Sequence, residues 1–179
     1  MAKMLVVASL VAVFGSLSAN VAAGGAQPQS RLERSQPAAY ELVLLHEINR
    51  VRVHRGLPRL RASGLLAAAA QHHSRRMARQ GFFDHNSPNG SPFWKRVGRF
   101  YSSRGFDRWS VGENLAYGSP GLSAAGTVRA WMKSPGHRAN LLSGAWREIG
   151  LAAMHAASAP GVYRGRRTTI VTADFGTRG

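Results

Sequence analysis

Apolar positions follow two different rhythms along this chain of 179 residues. Leu44, Leu45, Ile48 and Val51 recur at three- and four-residue spacing, which predicts a helix burying one stripe, ended by Gly56 and Pro58. A second helix is predicted over 64–80, with Leu66, Ala69, Ala70, His73 and Met77 on one face and Gly81 as its stop. A third is predicted over about 122–133, with Ala124, Val128 and Trp131 in register. Residues 82–110 read as irregular, with turns through Asn86-Ser87-Pro88-Asn89-Gly90-Ser91-Pro92 and a short helix near 92–100. The rhythm then becomes alternating in 147–154 and 168–175, two predicted strands joined through Gly161 and Gly165. Helices first and strands last predict an α+β domain, with helices on a small antiparallel sheet.

The N-terminus departs from this pattern. One positive charge at Lys3, an apolar run over 4–14 and small residues ending Val21-Ala22-Ala23 predict a secretory signal peptide over 1–23. The run is shorter than the roughly 20 apolar residues of a membrane span, and no later segment is apolar enough to be one. Residues 24–37, GGAQPQSRLERSQP, read as a linker, which leaves 38–179 as a single domain. The expected product is an exported, extracellular, soluble chain. It contains no cysteine, so packing rather than a disulfide framework must hold it together.

Charge adds a further property. Lys and Arg number 24 against 8 Asp and Glu, a net +16, and only Lys3, Lys95 and Lys133 are lysines. Such a surface is expected to attract anionic partners through fields that salt screens. The coding bias of the source genome would account equally well for so much arginine. The arginines are scattered and aromatics are few, so no specific nucleic-acid readout is expected.

The candidate chemistry is sparse. HExxH, GxSxG and phosphate-cradling glycine loops are absent, and there is no thiol. His46, His54 and His155 read as surface residues. His72 and His73 diverge by about 100° on their helix, and His73 reads as a core histidine hydrogen-bonded to backbone. Three residues stand out: His85 in FFDHNSPNG, Glu113 in VGENLAYG and His137 in SPGHRANLL. Ser134 is placed to cap a short helix, with Pro135 at its first position and His137 at its third. The positive end of that helix disfavours imidazolium, which predicts a neutral ring able to bind metal or accept a proton. On this segment alone, packing of His137 against Leu141 is the simpler reading.

The ordered series LLHEINRVRVHRGLPRL, AAQHHSRRMARQGFFDHNSPNG, GENLAYG and WMKSPGHRANLL with REIGLA resembles a bacterial CAP-domain protein. That superfamily, also called SCP-like, groups cysteine-rich secretory, antigen 5 and pathogenesis-related proteins, and the resemblance spans residues 40–176. It implies a secreted α-β-α sandwich with a mostly antiparallel sheet. It also implies a cleft of two histidines and two glutamates that in some members holds zinc or another divalent metal. His85 matches the first histidine, Glu113 the glutamate of the GEN motif and His137 the second histidine. Ser134 stands where many relatives carry the other glutamate, three residues after Trp131, and Glu148 is a candidate substitute. The implied function is a binding module for a lipid, cell-wall or protein ligand. The alternative is a zinc-dependent hydrolase of peptide or wall substrates, with His85 and His137 as metal ligands and Glu113 as ligand or base. A metal-free hydrogen-bonded cluster is a third option.

Overall fold

This computed structural model describes residues 4–5, 10–15 and 39–179. Most of the expected signal peptide and all of the expected linker lie outside the described residues. Within the former, β1 (Met4–Leu5) and β2 (Leu10–Gly15) pair antiparallel with a longer strand at Arg108–Gly118. The same Leu-Val-rich composition that reads as a signal core also suits a strand.

The first apolar stripe forms helix α1 (Ala39–Val53), burying Leu44 and Ile48. Two polar side chains of the same helix are buried as ties. Asn49 Nδ2 donates to the Leu60 carbonyl (3.0 Å) while Leu60 N–H donates to Asn49 Oδ1 (2.8 Å). Arg52 donates to the carbonyls of Pro58, Leu141 and Ser143, so its charge is met by oxygens and the end of α1 is stapled to a distant loop. The short strand β3 (Arg61–Ala62) follows, then α2 (Gly64–Gln80), α3 (Phe93–Phe100) and β4 (Arg108–Gly118). Next come α4 (Ala124–Lys133), α5 (Pro135–Leu141), β5 (Glu148–Ala159), a 3-10 turn (Gly161–Tyr163) and β6 (Arg166–Arg178). Helix α2 has the predicted bounds: Gly81 adopts φ 71° and donates to the Met77 carbonyl, a left-handed stop that suits glycine. The sheet runs β1-β4-β6-β5-β3, with β2 also paired to β4, all antiparallel except the parallel β3–β5 pair.

Helices cover both faces, giving the α-β-α sandwich of the α+β class that the resemblance implied. On one face α1, α4 and α5 pack Ile48, Val128 and Trp131 against Ile149, Ala173 and Phe175. On the other face α2 and α3 form two separate apolar clusters, one holding Leu66, Phe93 and Val111, the other Met77, Leu115 and Ile170. Glu113 lies between Val111 and Leu115 on β4, facing the same way, with Asp174 and Thr172 beside it on β6. A polar seam therefore divides the α2 face, and the candidate site is built on it. Gly150 lies across from Asp174 on β5, and a Cβ there would come within 2.0 Å of the backbone of Leu66 and Ala67. Helix α2 can sit this close to the seam only because that side chain is missing.

The stretch 82–110 is less irregular than its sequence reads, since β4 begins at Arg108. The predicted strands also extend further than their alternation, to Glu148–Ala159 and Arg166–Arg178.

Candidate functional site

Gly112, Glu113 and Asn114 are consecutive on β4 and serve different faces of the sheet. Asn114 Nδ2 donates to the His137 carbonyl (3.1 Å), and its Oδ1 accepts from Asn140 Nδ2 (3.0 Å). Gly112 faces the same way, and a Cβ there would meet Asn140 Oδ1 at 2.7 Å and the Trp146 ring at 2.8 Å. Glu113 faces the α2 side, fully buried, and accepts from His85 Nδ1 at 2.8 Å through Oε1. Its Oε2 accepts from Arg96 Nη2, while Arg96 Nη1 donates to the His85 carbonyl at 3.0 Å. One strand thus holds His85 by its ring from one face and His137 by its backbone from the other.

Electrostatics fix the charge state of this cluster. Burial alone would raise Glu113, but Arg96 first, then His73 and His85, bring it down to about 2. It is therefore a carboxylate paired with a buried guanidinium. Asp174 is its direct cross-strand partner and is also fully buried. Burial, then the Glu113 charge, push Asp174 well above the usual carboxylate range. The two carboxyls lie against each other without an aligned hydrogen bond, and the Asp174 oxygens have no other partner among the described residues. With one guanidinium facing two acids, the negative charge is favoured on Glu113 and disfavoured on Asp174.

His85 donates from Nδ1 to Glu113, which fixes the orientation of its ring. His137 is fully buried at the start of α5, and its Nδ1 bonds Ser134 Oγ at 2.7 Å. Its Nε2 is buried with no hydrogen-bond partner among the described residues. The ring is held to about pKa 4, first by burial and then by the nearby charge of His85. The expected neutrality is present, with burial rather than the helix end as its main cause. Ser134 also differs from its expected role: it occupies the N-cap position, yet its side chain caps no amide and instead holds the His137 ring.

His73 behaves as the core histidine expected, donating Nε2–H to the Asp84 carbonyl at 2.8 Å, with its pKa lowered to about 4 chiefly by burial. Its ring is nevertheless close enough to Glu113 and His85 to feel both charges. Glu148 accepts a 2.5 Å bond from Tyr101 Oη, at the end of the sheet where Arg178 lies over the Tyr101 ring. The carboxyl that does stand beside Glu113 is Asp174, and neither it nor Arg96 is among the residues that the sequence singles out. The signal for Asp174 is a lone acid in the otherwise apolar and threonine-rich stretch TTIVTADFG, where a charge needs a partner.

Among the described residues, no three His, Asp or Glu side chains stand together as a metal-ligand group. The two imidazoles are the donors that fit a metal, since each ring is oriented through Nδ1 by a second group, as metal-bound histidines usually are. On the outer side of α4 and α5, a depression of about 340 Å³ is lined by Met132, Lys133, Pro135, Arg138, Ala139 and Leu142. Among the described residues no helix is long and apolar enough to cross a membrane.

The profile of the cysteine-rich secretory protein family, CAP, matches residues 45–175. The uncharacterized protein YkwD of Bacillus subtilis is 35% identical over 118 residues, 65% of this chain and 43% of that protein, so the chain spans less than half of this relative's length. An extracellular protein containing an SCP domain from Bacillus anthracis is 25% identical, with a TM-score of 0.57 over 79% of this chain and 44% of its own. An outer surface protein from Borrelia burgdorferi shares the fold at 22% identity, with a TM-score of 0.62 over 78% of this chain and 92% of that one.

Proposed function

The chain belongs to the cysteine-rich secretory protein (CAP) family, and on that premise we propose that it is an exported binding module whose His85–His137 cleft takes a divalent metal such as zinc. The observation that carries this is the His137 ring: neutral, fixed through Nδ1 by Ser134, with a buried Nε2 that no atom of the described residues satisfies. His85 is the complementary donor, oriented through Nδ1 by Glu113. A bound divalent ion would supply Lewis acidity and open coordination positions for a ligand's anionic head. Two protein donors make a weak, exchangeable site, which suits capture of a lipid, wall fragment or protein ligand more than a permanent structural ion.

Export rests on the N-terminal charge-apolar-small pattern, and the extracellular and outer-surface relatives agree with it. Hydrolysis at the same cleft is the weaker reading, because it needs a carboxylate base. Glu113 has both oxygens engaged, by His85 and by Arg96, and burial beside Glu113 pushes Asp174 toward its uncharged form. Glu113 is thus a positioning residue for His85.

Calorimetric titration with zinc tests the proposal. The wild-type protein is expected to take up about one ion per chain, and His85→Ala and His137→Ala are each expected to lose that uptake while staying folded. No uptake, or uptake unchanged in both variants, overturns it.

A further inference from the structure

Outside the cleft, the exposed side of α2 carries His72, Arg75, Arg76 and Arg79, the i, i+3, i+4, i+7 spacing that lines side chains along one helical stripe. Helix α3 lies alongside and adds Lys95 and Arg99, both exposed. The two sets are close in space. The His72 ring sits 5.8 Å from that of Phe100, and its pKa is lowered by burial and then by the charges of Arg76, Arg96 and Arg99. Neither helix contains an acid, and Asp84 is the one carboxylate between residues 63 and 103.

The stripe continues beyond the end of α2. The Val162 amide donates to the Gly81 carbonyl at 2.9 Å, seating the Gly161–Tyr163 turn on the helix terminus. A Cβ on Gly81 would lie 2.8 Å from Gly161 backbone, so glycine at the helix stop is what permits this contact. The turn reads GVYRGRR: Tyr163 is buried, Val162 is 50% exposed, and Arg164 and Arg166 are exposed beyond it. An apolar tip therefore stands among cations at one end of a basic ridge.

We propose that α2, α3 and the turn at 161–165 form a docking face for anionic phospholipid, with arginines on the phosphates and Val162 entering the interfacial layer. Arginine forks pair with phosphate oxygens in two-point contacts. The ridge is made of two helices packed side by side on the outside of the sheet, which suits a planar charged surface. Trp94, half-buried with Lys95 at 5.5 Å from its ring, adds an aromatic of the kind found at membrane interfaces. A soluble polyanion would account for the arginines but would leave the apolar tip without a role.

The test is co-sedimentation of the full chain with vesicles of phosphatidylglycerol and phosphatidylcholine, the N-terminal segment being common to every variant. A triple variant, R75Q/R76Q/R79Q, is compared with R129Q/K133Q/R138Q, which removes the same charge from α4 and α5 on the other face. Each basic residue near an anionic surface strengthens binding roughly fivefold, so the first triple is expected to bind about 100-fold more weakly and the second to change far less. Val162→Ser is expected to weaken vesicle binding severalfold and leave binding to a DNA duplex unchanged. Equal losses in the two triples, or a DNA duplex held as tightly as the vesicles, overturns the proposal.

Discussion

Breaking the Arg96–Glu113 pair tests how the site is held. Arg96 is 4% exposed and Glu113 is fully buried. Glu113→Gln leaves the guanidinium without its carboxylate, and Arg96→Met leaves Glu113 against Asp174 with no cation. Each single change strands a buried charge, which costs about 3–5 kcal/mol. Arg96→Met also removes the bond to the His85 carbonyl, worth about 1 kcal/mol, so it should be the more damaging of the two. The double variant has neither charge, and its loss should fall below the sum of the singles by about 2 kcal/mol or more. Urea unfolding at pH 7, followed by fluorescence of the buried Trp131 and Trp146, supplies the three differences. A single loss of about 3 kcal/mol corresponds to a melting temperature lower by about 6–12 °C in a domain of this size. Additive losses, within about 0.5 kcal/mol, would refute the buried-pair reasoning.

Three further outcomes follow from the same geometry. His73 has a folded pKa of about 4 against an ordinary 6.5, so its contribution is present above 6.5 and lost as pH falls toward 4, on the order of 3 kcal/mol. Melting temperature against pH should therefore slope down in that window and flatten in His73→Gln; an identical slope in both proteins counts against it. Asp174 is shifted the other way, so its contribution is greatest below the ordinary carboxylate range and falls as pH rises through the shifted value. Asp174→Asn should then gain stability relative to wild type as pH rises above the ordinary carboxylate range, read from urea midpoints, and a relative loss would contradict the assignment. Gly150→Ala should destabilise by about 3 kcal/mol, because its Cβ would sit 2.0 Å from α2 backbone; a melting temperature within a degree or so of wild type would mean α2 is not seated there.

The sequence is most legible where one face of an element is buried and the other is wet. Helix α2 shows this: its apolar stripe recurs at helical spacing and a single left-handed glycine ends it. Strand β4 is hidden because nearly all of it from Val111 to Gly118 is buried on both faces, so no alternation survives, and its glycines, Glu113 and Asn114 are poor strand formers. The family's ordered blocks single out His85, Glu113 and His137, which the fold brings onto and around one strand. The parts that Asp174 and Arg96 play are hidden for another reason. Their meaning comes from the register of β4 against β6 and from the packing of α3, neither of which local sequence encodes. Ser134 reads as an ordinary helix cap, yet the imidazole three residues on competes for its hydroxyl and wins.

On the proposed reading His85 and His137 are the cleft's donor pair, and nitrogen-15 NMR of the histidine rings during zinc addition tests this most directly. His137 is expected to be unprotonated at Nε2 near neutral pH, and the Nε2 signals of both His85 and His137 are expected to move on zinc addition. The His73 ring, donating from Nε2 to Asp84, is expected to stay put. A proton on the Nε2 of His137, with neither cleft ring responding to zinc, would contradict the donor pair.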